Sequence, residues 1–273
     1  MAPSILLAVA PNGARKTVQD HPGLPITPLE LARTAASCAE AGAGMIHLHV
    51  RDSNGKHTLE PSFYRPALRA VESAVGEQML IQVTSEAAGI YEGVKQIELM
   101  RQLAPHCLSC GLKEFIADES QVESGSAFYH NLSSEGVLVQ HILYSMEDLL
   151  WYEKLCREGV LPGENQMLLF VFGRYTPEEG AHSVYTLRGY LKVLKQQQNW
   201  MVCGFGEMEQ RVVEEAVEFG GHVRIGFENN LYLPSGVLSR DNAALVENAA
   251  GVARLAGRIC GGRIFAESLF NKK

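Results

Sequence analysis

The chain has 273 residues, 46% of them hydrophobic and 20% charged, an ordinary globular composition with room for a large core. Its formal net charge is -7 and it holds no dense Lys/Arg run, which argues against a nucleic-acid or anionic-membrane partner. No apolar run approaches the ~18 residues of a membrane helix.

The six cysteines are scattered, and Cys107 with Cys110 makes one CxxC without a second pair. They read as reduced core thiols of a cytoplasmic protein, not as a disulfide framework or zinc ribbon. The opening "MAPSILLAVAPNG" lacks a basic leader and is interrupted by Pro11, so it reads as a first strand and not as a signal peptide.

From there, short apolar runs alternate with amphipathic stretches. "SILLAVA" precedes a helix with Thr27 as N-cap, Pro28 at its first position and Gly42 past its end. "MIHLHV" precedes a helix from Ser62 to Val75, and "MLIQVTS" one from Gly93 to Leu103. "CLSC" is a short fourth strand, followed by a segment from Asp118 to Glu135 that reads as a long loop or short helix. "GVLVQHILY" leads to a helix from Met146 to Glu158, and "MLLFVFG" to one from Tyr185 to Gln198. "WMVCGFG" leads to a helix from Glu209 to Phe219, and "HVRIGF" to one from Asn242 to Leu255. Eight strand–helix units imply parallel pairing, and their number matches a closed (β/α)8 TIM barrel, expected as a single domain over residues 1–273.

Such a barrel carries its chemistry at the carboxyl ends of the strands. In "MIHLHVRD" the alternation of a strand puts His47 and His49 on one face, about 6.6 Å apart along the axis. Met45 and Arg51 share that face, and Ile46, Leu48 and Val50 take the other. Two inward imidazoles side by side leave several nitrogens to satisfy, which favours a shared divalent ion over two core histidines. A catalytic zinc site usually has three protein ligands, and Glu228, just past the eighth strand, is the third. Closure of a barrel sets the second and eighth strands on either side of the first. "GFGEMEQ" lacks the third glycine of a dinucleotide fingerprint, and no GxSxG elbow or P-loop occurs.

"NGARKT…HPGLPITP", "EAGAGMIHLHVRD", "LIQVTS" and "GGHVRIGFENNLYLPSG" resemble, in the same order, the β-keto acid cleavage enzyme family. The resemblance implies a zinc-dependent barrel enzyme, commonly a homotetramer, that condenses a β-keto acid with acetyl-CoA to give acetoacetate and a shortened acyl-CoA. It carries the metal ligands onto His47, His49 and Glu228, and the active-site arginine onto Arg224. Thr84 and Ser109, ending the third and fourth strands, fall at hydroxyl positions that contact substrate in the family.

Two positions depart from the family pattern. Asn229 stands where many members carry the aspartate that serves as base, and an amide does not accept a proton at neutral pH. Another carboxylate, with Glu207 and Glu86 the nearest, a metal-bound hydroxide, or a different reaction are the open alternatives, and the base stays unassigned. Arg15 stands where members acting on amino-bearing substrates carry a glutamate, which disfavours a cationic tail and suits a neutral or carboxylated one. A metal-dependent aldolase or hydrolase without CoA, or a non-catalytic ligand-binding barrel, are the rival readings.

Overall fold

The computed structural model describes residues 3–163, 166–174, 186–195 and 198–270. Eight parallel strands form the closed barrel: β1 (Leu7–Val9), β2 (Met45–Leu48), β3 (Leu80–Thr84), β4 (Cys107–Gly111), β5 (Leu138–Leu143), β6 (Gln166–Phe172), β7 (Trp200–Gly204) and β8 (His222–Ile225). Helices follow the strands: α1 (Pro28–Glu40), α2 (Pro61–Val75), α3 (Gly93–Leu103), α4 (Val122–Ser134), α5 (Met146–Arg157), α6 (Leu187–Val193), α7 (Met208–Phe219) and α8 (Asn242–Leu255). The expected helix from Tyr185 to Gln198 is seen as α6; Tyr185 and residues 196–197 lie outside the described residues.

Alternation of side chains divides the core. Ile46, Leu48 and Val83 join the outer layer against the helices, whereas Ala8, Met45, Leu80, Met167 and Met201 fill the barrel. A terminal helix α9 (Arg263–Ser268) and the following Leu269 and Phe270 pack into that inner cluster. Gln166 N, at the start of β6, donates to Phe270 O at 2.9 Å, so this plug closes the amino end of the barrel. The carboxyl end is the open one.

Local signals act as expected at α1. The Thr27 hydroxyl accepts from Glu30 N, the Glu30 carboxylate accepts from Thr27 N, and Pro28 starts the helix. Two expectations change. The segment after Asp118 is a turn at Glu119–Gln121 followed by the 13-residue α4, whose buried Gly125, Phe128, Tyr129 and Leu132 share one face. Gly125 is required there, because a Cβ would sit 2.2 Å from Ile116 Cγ1. The strand "MIHLHV" also ends earlier: β2 stops at Leu48, and Val50–Arg51 pair antiparallel with His57–Thr58. His49 therefore sits in the break between barrel and hairpin.

Candidate metal centre

β8 pairs with β1 and β1 with β2, so the chain leaving β8 arrives beside the histidines. The turn that follows β8 depends on Gly226, at φ +124, where a Cβ would lie 2.7 Å from Ala10 O and 2.9 Å from Asn242 Oδ1. Phe227 N donates to Asn242 Oδ1 at 2.8 Å, and Glu228 N to Ala10 O at 3.0 Å. Buried Glu209 accepts from Gly226 N at 3.2 Å and from Asn230 Nδ2 at 3.1 Å, holding both ends of the turn. Burial pushes the Glu209 carboxyl up to about 8.

These supports aim Glu228 at the imidazoles. Its Oε2 lies 3.7 Å from His47 Nε2 and 3.4 Å from His49 Nε2, and the two nitrogens are 3.1 Å apart. Ligands about 2.1 Å from a tetrahedral zinc stand roughly 3.4 Å from one another. The three separations bracket that value. Glu228 Oε2 is buried without a hydrogen-bond partner, as a carboxylate oxygen would be where its partner is an ion. The residues present thus fit a divalent cation.

The protonation states suit the same role. His47 Nδ1 donates to Gln82 Oε1 at 2.8 Å, which turns the Nε2 lone pair toward Glu228. Burial, helped by repulsion from Arg224, pushes His47 down to about 3, so the ring is neutral. Burial opposes the charge on Glu228, yet Arg224, His49 and His47 hold its carboxyl well below the usual range. Arg224 donates to Glu228 Oε1 at 3.1 Å and contacts Cys203 Sγ at 3.4 Å; its Nε is buried without a partner.

The remaining sequence-selected residues divide. Asn229 is buried next to the Cys203 thiol, with neither amide atom hydrogen-bonded. Thr84 and Ser109 face each other across β3 and β4. The Thr84 hydroxyl accepts from Glu86 N at 3.0 Å and that of Ser109 reaches Val83 O at 3.5 Å; neither hydrogen-bonds to His47, His49 or Glu228. Arg15 is exposed on the wall of a cavity of about 280 Å³ that reaches Glu228. Of the two spare carboxylates, Glu207 is exposed at the start of α7 and caps nothing. Glu86 is at the site: its Oε2 lies 3.8 Å from His49 Nε2, and its Oε1 accepts from Arg174 at 2.9 Å.

Sequence reasoning passed over Gln82, Lys16, Arg174 and Glu209. Gln82 carried a usable signal, a polar residue in phase with Thr84 on an apolar strand. Lys16 donates to Glu228 O at 2.7 Å, and burial, against the attraction of Glu228, pulls its ammonium below the usual lysine range. Arg174 stacks over Phe205, 5.0 Å from the ring centroid. A larger cavity of about 600 Å³ lies between α7 and α8, lined by Val213, Leu233 and Leu245, and includes neither histidine nor Glu228.

Known proteins agree with this architecture. The family profile described as beta-keto acid cleavage enzyme matches residues 4–260. The 3-keto-5-aminohexanoate cleavage enzyme of Fusobacterium nucleatum subsp. nucleatum is 28% identical over 263 residues, covering 94% of each chain. The 3-oxoadipate:acetyl-CoA acetyltransferase of Cupriavidus necator is 24% identical, over 94% of this chain and 91% of its own. Among solved structures, the ternary complex of ObcA with C4-CoA adduct and oxalate superposes with a TM-score of 0.66 at 15% identity, over 91% of this chain and 67% of that one, and shows the shared barrel. With its profile matched almost end to end, the chain belongs to the beta-keto acid cleavage enzyme family.

Proposed function

We propose that the protein cleaves a β-keto acid with acetyl-CoA, giving acetoacetate and a shortened acyl-CoA, with zinc held by His47, His49 and Glu228. The observation that carries this is the His47–His49–Glu228 cluster at the open end of the barrel, with Glu228 Oε2 lacking any hydrogen-bond partner. Zinc bound there would polarise the ketone and carboxylate oxygens of the substrate and offset negative charge as it develops. The names of the Fusobacterium and Cupriavidus relatives support the reaction class. The assembly common in the family, a homotetramer, and a cytoplasmic setting belong to the same reading.

This chain's residues supply the rest. Arg224 fixes the Glu228 carboxylate through Oε1 and keeps Oε2 turned to the imidazoles. Asn229 offers an unused amide donor and acceptor to the substrate, and Thr84 and Ser109 shape the adjoining wall. Arg15 faces the substrate tail from the rim of the cavity. Glu86 takes the C2 proton on Oε2, replacing the base that Asn229 no longer provides; Arg174 orients it through Oε1. The C2 carbanion then attacks the acetyl thioester carbon and the CoA thiolate leaves. That thiolate adds to the original keto carbon, the bond from that carbon to C2 breaks, and C2 regains the proton from Glu86. Acetyl, CoA and proton are all accounted for.

The test is a panel of β-keto acids with acetyl-CoA and the zinc-loaded protein, following acetoacetate and acyl-CoA together. Equal yields of both products that depend on acetyl-CoA are expected. Cleavage without acetyl-CoA would support an aldolase or hydrolase instead. Retained zinc without turnover on any substrate would support a ligand-binding barrel.

A further inference from the structure

Proton abstraction at C2 requires more than a carboxylate nearby. The acceptor oxygen must meet the proton within about 3 Å, and a misplacement near 1 Å costs about 10²-fold in rate. Glu86 stands on the loop between β3 and α3, where no sheet ladder fixes the main chain. That loop holds Ala88 in the left-handed region at φ +49, ahead of Gly89 at φ +77. An alanine adopts this conformation only when its surroundings impose it.

The constraint comes from the neighbouring strand. Glu114 lies on the helical turn Leu112–Phe115 that leaves β4. Its carboxylate accepts from Ala87 N, at 3.2 Å to Oε1 and 3.3 Å to Oε2, and from Gln96 Nε2 at 2.8 Å to Oε2. Buried Gln96 also donates to Ser85 O at 2.6 Å, and Ser85 N donates to Ser109 O at 3.1 Å. Gly111 leaves the room that the Glu114 side chain fills, since a Cβ there would lie 3.2 Å from its Cγ and Cδ. Burial pushes the Glu114 carboxyl up to about 7 against these hydrogen bonds; Glu86 repels its charge and Arg174 attracts it.

The grip falls on one peptide plane. The carbonyl of Glu86 accepts from His57 Nε2 at 2.9 Å, while the N–H of Ala87, at the other end of the same planar unit, is held by Glu114. Fixing both ends sets the main-chain angle that directs the Glu86 side chain. Arg174 then takes Oε1, and Oε2 stands 3.8 Å from His49 Nε2 on the metal side. His57 packs against His49 with ring centroids 5.3 Å apart, so changing it would disturb a metal ligand as well. The Glu114 hydrogen bonds all run to the loop and to α3. We propose that Glu114 is the positioning residue of the base: by holding Ala87 N from the end of β4, it sets where Glu86 Oε2 stands against C2 of the bound keto acid. This rests on the reading of Glu86 as the base. The hold depends on an acceptor and not on charge, because Oε2 alone lies within reach of both donors and an amide oxygen can take its place.

Acetoacetate, a β-keto acid and the expected product, is the probe. The zinc-loaded protein in deuterium oxide, without CoA, exchanges its C2 protons, and proton NMR reads the rate above the uncatalysed one. Glu114→Leu keeps the volume and removes both acceptors. We expect the kcat of exchange to fall about 10–10²-fold, with KM for acetoacetate and zinc affinity unchanged. Amide hydrogen exchange over residues 84–91 quickens in the same variant, and Glu114→Gln keeps most of the parent rate. Thermal melting checks that each variant is folded, and Glu114→Ser, too short to reach Ala87, replaces a Leu variant that is not. A folded Glu114→Leu protein with the parent rate overturns the proposal. So does an equal loss in Glu114→Gln, which would make the charge the cause, or a loss matched by weaker zinc binding. If the parent exchanges no C2 proton, or Glu86→Gln exchanges as fast as the parent, the reading of Glu86 as base fails and the role of Glu114 falls with it. A parent that exchanges through Glu86, with Glu114→Leu equally fast, fails this proposal alone.

Discussion

Gln82 offers a way to weaken the metal centre without touching a ligand. Its side chain is fully buried, accepts the Nδ1 proton of His47 at 2.8 Å, and donates to Gln140 Oε1 at 3.3 Å. Gln82→Leu keeps the volume and removes the acceptor. The His47 ring is then free to change tautomer or tilt, and its Nδ1 proton is buried without a partner. Outer-sphere partners of ligating histidines are worth about 10–100-fold in metal affinity, or roughly 1.4–2.7 kcal/mol. The orphaned donor costs about 1–3 kcal/mol of stability, partly offset by the added apolar surface. Competition with a chromogenic chelator measures zinc affinity, and urea unfolding of the metal-free variant measures the fold. Unchanged zinc affinity in a folded Gln82→Leu protein would show that Gln82 does not orient a ligand, and would put His47 itself in doubt.

Other outcomes follow from the same geometry. Glu86→Gln should lower kcat by about 10²–10⁴-fold, as loss of a proton acceptor does, with zinc content unchanged. Adding Asn229→Asp to Glu86→Gln should restore at least part of that loss; a variant with full activity from Glu86→Gln alone would remove Glu86 from the chemistry. His141 is buried against Tyr129 and Tyr152, bonded to Gln166, and pushed by burial down to about 4. Unfolded it titrates near 6.5, so between those values the unfolded state binds the extra proton and stability falls as pH falls. The stability advantage of the parent over His141→Asn should therefore shrink by about 3 kcal/mol from pH 7 to pH 4, read by urea unfolding at each pH. A pH-independent difference would mean the ring is not held neutral. Gly125→Ala should destabilise by about 1–3 kcal/mol, since the new methyl meets both Ile116 and the Phe115 carbonyl at 2.9 Å. A neutral result by thermal melting would show that α4 can shift away.

The parts of the site governed by a period were legible in the sequence. Strand alternation put His47 and His49 on one face, and barrel closure brought Glu228 to them from the other end of the chain. Capping chemistry located α1 because Thr27 and Pro28 stand side by side at its start; the structure adds Glu30 to the same cap. Residues outside a repeating element were not legible. Lys16 and Arg174 sit on loops, where no periodicity states a direction, so the charge of the cavity emerged only in three dimensions. Glu207 and Glu209 differ by about 200° around α7, and the phase of a helix in its first turn cannot be read from an acidic pair alone. The structure turns Glu207 to solvent and buries Glu209 under the Gly226 turn. The helix α4 was hidden by its Ser-rich composition, although Phe128, Tyr129 and Leu132 kept helical spacing.

Anomalous diffraction at the zinc edge, from crystals grown with zinc, tests the central claim most directly. One peak within about 2.0–2.2 Å of His47 Nε2, His49 Nε2 and a Glu228 carboxylate oxygen is the predicted result. A density map with no peak among these three side chains, or with the metal bound elsewhere in the barrel, would contradict it.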